Sequence, residues 1–259
     1  MTKPRYKIGI LGVGHLMQHV VPALVGDTPS SNILLSPRNT DRAAALKDRF
    51  GCAIAETNHD LVDLSETVLL AVRPTQVEDA IAGLPWRPDH QILSFCAGVT
   101  ISQFSPHVNG ATVARALPVT AAEFGDSPTI LFPDNPEFEK LLEPCGPVFP
   151  LKTEDKFEVA CLMGAYYGWT QMLIGNTARW LSEAGLEPGA ARRLTAAMTR
   201  AGATTVLERP QDPVEDLVEE LCLPGSITGL GRDSLMADRA FDPWDTAFAA
   251  VLTKLRNSN

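Results

Sequence analysis

The stretch YKIGILGVGHLMQHV, residues 6–20, constrains the fold more than any other. Tyr6 to Gly12 is a short apolar run ending in glycine, which predicts a buried strand. His15 to Val25 has a helical pattern, with Pro22 expected to kink it or end an inner turn. Between them stands Gly12-x-Gly14. A strand that ends in such a turn and reopens at once as a helix suits a nucleotide. The first glycine permits the tight turn, the second lets backbone approach a pyrophosphate, and the phosphates sit at the helix N-terminus. Gly12, Gly14, His15 and Leu16 are therefore candidate cofactor residues. Met17 occupies the third glycine position of G-x-G-x-x-G, which is expected to hold the helix further from the strand.

Strand and helix patterns alternate onward. NILLS (32–36) reads as a strand, and NTDRAAALKDRFG (39–51) as a helix capped by Asn39 or Thr40 and closed by Gly51. TVLLAV (67–72) and QILSFCAG (91–98) are strands on either side of the helical TQVEDAIAGL (75–84). Two short strands flank Pro118 in TVARALPVTAAEFGDSPTILF, and CGPVFPL (145–151) supplies a last one. This alternation implies a doubly wound parallel sheet with helices on both faces, whose ligand lies at the carboxyl edge of the strands.

At that edge the tip of the second strand chooses the cofactor. A carboxylate there would bind the ribose hydroxyls of NAD and repel a 2′-phosphate. LLSPRNTDR instead offers Ser36, Arg38 and Asn39, which suit a 2′-phosphate by charge and hydrogen bonds, so NADP(H) is favoured over NAD(H). Val72, Arg73 and Pro74 follow the next strand at the same edge, and Ala97 and Gly98 are small enough to leave room for a nicotinamide ring.

From Lys152 the pattern becomes helical. Residues 154–185 read as one long helix with apolar residues on more than one face, hence buried on several sides. Helices follow over 187–208, with Pro188 in the first turn, then over 212–223, 233–238 and 242–258. This half is too thin to bury the long helix alone, so helices of a second subunit are expected to complete its core. The 259 residues suit two domains, placed at 1–152 and 153–259.

A net charge of −9 leaves no basic excess for nucleic acid. Five scattered cysteines with no C-x-x-C pair fit neither a disulfide framework nor a zinc site, and the opening MTKPRYKIGIL lacks a signal-peptide core; a cytoplasmic setting is expected. No apolar run reaches the roughly 18 residues of a membrane span. His15 and His19 share a helical face without a third ligand, so no metal site is expected.

The order of motifs resembles the pyrroline-5-carboxylate reductase family over nearly the full length. GVGHL resembles that family's G-x-G-x-M, with Leu16 in the Met place, and SPRNTDRAAAL its cofactor stretch. AVRPTQV resembles A-V-K-P-Q-x-V with Arg73 for Lys, CAGVT resembles A-A-G-V, and ARALP resembles v-R-v-M-P-N. RAGATTVL and LPGSITGLGRDSL complete the series near the C-terminal end. The resemblance implies a Rossmann-like domain followed by an all-α dimerisation domain, and reduction of a cyclic C=N bond by NAD(P)H to a proline-like product.

The departures fall on the substrate side. Val119 stands for the family's Asn after Met-Pro, Ala165, Tyr166 and Tyr167 for its Ser, Gly and Pro, and Ser226 and Ile227 for its second Gly and first Thr. By resemblance, Pro118, Val119, Gly225, Ser226, Ile227 and Thr228 bind substrate, and Thr228 with Tyr166 are the catalytic candidates. The competing expectation is an NADP(H)-binding protein of the same fold with altered substrate or without catalysis. A β-hydroxyacid dehydrogenase is disfavoured, because FEVACLMGAYYGW holds no lysine.

Overall fold

A computed structural model describes residues 6–257. Ser258, the last residue of the expected closing helix, lies outside them. In chain order the elements begin β1 (Tyr6–Leu11), α1 (Met17–Asp27), β2 (Ile33–Leu35), α2 (Thr40–Phe50), β3 (Ala53–Ile54), α3 (Asn58–Leu64) and β4 (Ser65–Leu70). They continue with α4 (Val77–Ile81), β5 (Gln91–Ser94), α5 (Ile101–Phe104), β6 (Thr112–Leu117), β7 (Thr129–Phe132), α6 (Pro136–Leu142) and β8 (Val148–Pro150). Then come α7 (Glu154–Ala160), α8 (Leu162–Glu183), α9 (Pro188–Glu208), α10 (Val214–Glu219), α11 (Ile227–Ala237) and α12 (Asp242–Arg256).

The strands form one sheet in the order β3-β2-β1-β4-β5-β6-β7-β8. Pairing is parallel from β3 to β6, turns antiparallel at β6–β7, and is parallel again at β7–β8. The reversal has a plain cause. The connection from β6 to β7, residues 118–128, holds only the 3-10 turn Thr120–Phe124 and no helix to carry the chain back across a face of the sheet. Both faces of the sheet are apolar, as expected for strands covered on both sides. Ile8, Ile10, Leu69 and Leu93 pack with Met17, Val20 and Leu24 of α1, while Val68, Leu70 and Ile92 pack with Leu61, Ile81 and Phe104 on the other face.

Local signals explain the ends of α2. Asn39 is its N-cap, and Gly51 closes it in the left-handed conformation at φ +79°. β3 and α3 add to the expected elements. The strand has two residues and the helix seven, too short for periodicity to report. Gly9 is the trace of that helix: a β-carbon there would lie 2.3 Å from Ser65 Oγ and 2.9 Å from Leu61 Cδ2. Pro22 sits within α1 without ending it.

The chain divides into two compact units: one runs to Gly164 and takes back the last helical turn from Leu252, and the other is Ala165–Val251. The helix expected over 154–185 is broken. α7 ends at Cys161, whose N–H is shared between the carbonyls of Phe157 and Val159, and α8 begins at Leu162. Pro188 opens α9 in its first turn, where the Glu187 carboxylate accepts the N–H groups of Gly189 (2.7 Å) and Ala190 (2.6 Å). These bonds hold Glu187 below the usual carboxylate range. The helical unit buries little of its apolar surface: Met172, Trp180, Met198 and Leu207 are all exposed, Leu207 at 73%. Among the described residues no helix is long and apolar enough to cross a membrane.

Candidate functional site

Where β1 and β4 lie side by side, the chain leaves them toward opposite ends of the sheet, and a crevice opens beyond their carboxyl ends. Its geometry starts at Gly12, at φ +105°, where a β-carbon would lie 2.8 Å from the Ala71 carbonyl and 2.8 Å from Val72 Cγ1. Only glycine fits there. Gly14 is different. A β-carbon on it would meet nothing closer than the Ala71 oxygen at 3.8 Å, so the protein's own packing does not require glycine. The space it leaves suits a ligand that lies against the backbone. Beyond the turn, the N–H groups of His15, Leu16 and Met17 have no backbone acceptor among the described residues, and they open α1. Free donors at a helix N-terminus are the groups that bind phosphate. Met17 is fully buried in the core.

A cavity of about 490 Å³ gathers this turn with the tips of β2 and β4. Gly12, Val13 and Gly14 form its floor; Arg38, Asn39, Thr40 and Arg42 come from the β2–α2 turn, and Ala71, Val72, Arg73 and Gln76 from the end of β4. No lining residue is acidic. Three arginines therefore face one space, and among the described residues none of them forms a salt bridge. The volume is ordinary for a small-molecule site.

The sequence-expected residues divide by what they do here. Gly12, Gly14, Arg38, Asn39, Val72 and Arg73 line the cavity, and Pro74 opens the 3-10 turn just after it. Ser36 does not line it. Its side chain is buried and its hydroxyl donates to Asn58 Oδ1 at 2.7 Å, which ties the tip of β2 to α3. Arg42 joins the expected set, and the sequence holds a signal for it. It stands in the first turn of α2, where the helix dipole disfavours a cation unless an anion is near. Ala97 is half-buried and Gly98 sits at φ +72° in the turn after β5. There the Cys96 thiol donates to the Val72 carbonyl at 3.3 Å, and burial pushes that thiol up. Burial also pushes Cys145 and Cys161 up to about 12, so these cysteines are inert packing groups.

His15 is exposed, its ring set edge-on to His19 at 4.9 Å, and His19 Nδ1 lies 2.8 Å from Glu123 Oε1. Pro118 is buried, and the Val119 N–H donates to Ser127 Oγ at 2.8 Å. In the helical unit the glycine-rich stretch is not all turn. Gly225, at φ +78°, ends the turn, and Ile227 already begins α11. Ser226 is the N-cap: its Oγ accepts the Gly229 N–H at 3.0 Å and donates to the Leu221 carbonyl at 3.3 Å. The capping pattern outweighs the glycines, which by themselves favour a loop. Thr228 is exposed in the first turn of α11, and Ile227 is 89% exposed. Tyr166 packs its ring against Phe248 (6.2 Å) and Trp244 (6.1 Å), beside Trp169.

Comparison with known proteins bears on the fold. Residues 7–98 match the family described as NADP oxidoreductase coenzyme F420-dependent. Pyrroline-5-carboxylate reductase 1 of Bacillus spizizenii is 26% identical over 245 residues, covering 88% of this chain and 81% of that protein. A 1-pyrroline-5-carboxylate reductase structure from Streptococcus pyogenes superposes with TM-score 0.85 at 21% identity, over 97% of this chain and 98% of that one. A Plasmodium falciparum pyrroline carboxylate reductase structure with NADP bound superposes with TM-score 0.86 at 17% identity, over 98% of each chain. The resemblance to pyrroline-5-carboxylate reductases carried by the motifs thus extends along most of the chain, and the fold is theirs.

The two glycines should separate in experiment. Gly12→Ala should destabilise the fold by on the order of 3 kcal/mol in chemical denaturation, from strain and overlap together. Gly14→Ala should unfold like wild type yet bind NADPH about tenfold or more weakly, as a displaced phosphate would require. Equal stability losses, or full NADPH affinity in Gly14→Ala, would contradict these roles.

Proposed function

We propose that this protein is an NADPH-dependent reductase of a cyclic imine, similar in chemistry to pyrroline-5-carboxylate reductases. The observation that carries the reading is the cavity at the β1–β4 crevice, glycine-floored, free of carboxylates and faced by Arg38, Arg42 and Arg73. When bound, the cofactor supplies the hydride. The chain's part is to hold and orient. The free N–H groups of His15, Leu16 and Met17 receive the pyrophosphate at the N-terminus of α1. Arg38, Arg42 and Asn39 receive the 2′-phosphate, with Thr40 beside them at the start of α2. Ser36 supports this set from behind through Asn58. Ala97 and Gly98 leave space for the nicotinamide.

On the substrate side, Thr228 at the first turn of α11, with the backbone from Gly225 onward, is the anchor for a carboxylate. The Ser226 hydroxyl serves the helix cap, so its share in binding is through backbone. Val119 and Ile227 are each more apolar than the residues they stand for in the resembled family. The ring packing of Tyr166 gives that residue a wall-forming role, with its phenol the candidate proton donor. These departures favour one second reading, an NADP(H)-binding protein that has lost catalysis. The exposed apolar residues of α8 and α9 fit burial in a homodimer, and five free cysteines fit a reducing cytoplasm.

Three measurements test these statements. NADPH oxidation should be seen with at least one member of a panel of cyclic imines that includes pyrroline-5-carboxylate at millimolar concentration; NADPH binding with no oxidation across the panel would leave only the second reading. Arg38→Asp should weaken NADPH by about tenfold or more, the worth of a lost charged hydrogen bond, and leave NADH nearly unchanged. An unchanged ratio between the two would reject the 2′-phosphate assignment. Sedimentation at micromolar concentration should give twice the chain mass, and a monomer would refute the dimer.

A further inference from the structure

Arg115, on β6, is fully buried, and its guanidinium carbon lies 4.5 Å over the ring of Phe157 on α7. Its Nη1 faces two carboxylates of the same helix, Glu158 Oε1 at 2.5 Å and Glu154 Oε1 at 2.8 Å. One buried cation needs one carboxylate, and two like charges in one site oppose each other. Nor is the pairing the two-pronged fork of an arginine held for its own sake, because Arg115 Nε and Nη2 are buried without a hydrogen-bond partner. Glu158 supplies the nearby charge but accepts no hydrogen bond, and the hydrogen bond of the guanidinium goes to Glu154. Glu154 has a further bond: the same Oε1 accepts the N–H of Ile101 at 2.8 Å.

Ile101 is the first residue of α5, and its N–H is one of the donors a helix start leaves unpaired. The segment before it is Ala97–Thr100, which contains the turn at Gly98. That segment is tied at both ends. At the strand end, the Phe95 N–H donates to the Leu70 carbonyl (2.9 Å) and the Cys96 thiol to the Val72 carbonyl (3.3 Å), both on the β4 side. At the helix end, the Thr100 N–H donates to Gln103 Oε1 (2.7 Å) within α5, and among the described residues only the Ile101 bond reaches another element. Besides the packing of Val99 and Phe104 in the core, the bond to Glu154 is the polar tie that links this segment to α7.

We propose that Glu154 is a positioning residue for the nicotinamide half of the cofactor. Arg115 fixes its carboxylate, and the carboxylate holds the turn at Ala97–Gly98 in place through Ile101. The proposal rests on the reading that NADPH binds with its nicotinamide at that turn.

Ile101→Pro tests it from the other side of the bond: it removes the donor and crowds the Glu154 carboxylate away from the turn while keeping every buried charge. Proline fits the first position of a helix, and Thr100 already has the extended backbone, φ −78° and ψ 157°, that a following proline requires. Affinities for NADPH and for 2′-phospho-ADP-ribose, the cofactor without its nicotinamide, are measured by calorimetry, with Ile101→Val as the packing control. Ile101→Pro should weaken NADPH by about tenfold, the worth of a hydrogen bond to a charged group, and leave the fragment within about twofold of wild type. Glu154→Ala should do the same with a lower unfolding midpoint, while Glu154→Gln, which keeps an acceptor for Ile101, should retain most of the NADPH affinity. NADPH binding to Ile101→Pro at wild-type strength, or equal weakening of NADPH and fragment, overturns the proposal. A wild-type protein that binds the fragment and NADPH equally overturns the nicotinamide placement; one that binds neither overturns the cofactor reading itself.

Discussion

The approach of Gly12 to the end of β4 is the contact on which the rest is built. At φ +105°, with the Ala71 carbonyl 2.8 Å from where a β-carbon would stand, the first turn presses against the fourth strand. The register continues that closeness down the sheet, from Leu11 opposite Leu70 to Tyr6 opposite Ser65. With β2 and β3 on one side of β1 and β4 to β6 on the other, connections diverge from this seam and leave a crevice at its top. α1 begins in the crevice, so its free N–H groups point to where the strands end. Fold and site are one consequence of a turn that only glycine can make.

Charge completes the site locally against the trend of the whole chain. A protein of net charge −9 repels anions at long range, yet three arginines meet in one cavity without a carboxylate in its lining. Screening reduces the distant acidic surface within about 10 Å at ordinary salt, whereas groups in direct contact keep their attraction. Arg42 at the start of α2 is unfavourable for the helix alone and favourable once an anion shares the space.

Much of this is legible in the amino-acid sequence, because it rests on short-range rules. The strand–turn–helix at Gly12 and Gly14, the Asn39 cap with its Gly51 stop, and Pro188 in the first turn of α9 are written in adjacent residues. What the sequence hides depends on distant partners or competing local signals. Gly9 makes sense only once Leu61 of α3 and Ser65 of β4 are seen beside it. The break at Cys161 is invisible to apolar periodicity, which runs through it. At Ser226 a cap and a run of glycines compete, and the cap wins. Ser36 has the place of a ligand group at the strand tip, but its hydroxyl answers Asn58. Likewise the motif that makes Tyr166 a candidate for chemistry does not report the packing of its ring beside Phe248 and Trp244.

The central claim is that the β1–β4 crevice takes a cofactor bearing a 2′-phosphate. A crystal structure with NADP bound tests it most directly. The account predicts the pyrophosphate over the Gly12–Gly14 turn and the 2′-phosphate within hydrogen-bond distance of Arg38 or Arg42. A pyrophosphate elsewhere, or a 2′-phosphate turned to solvent away from both arginines, would contradict it.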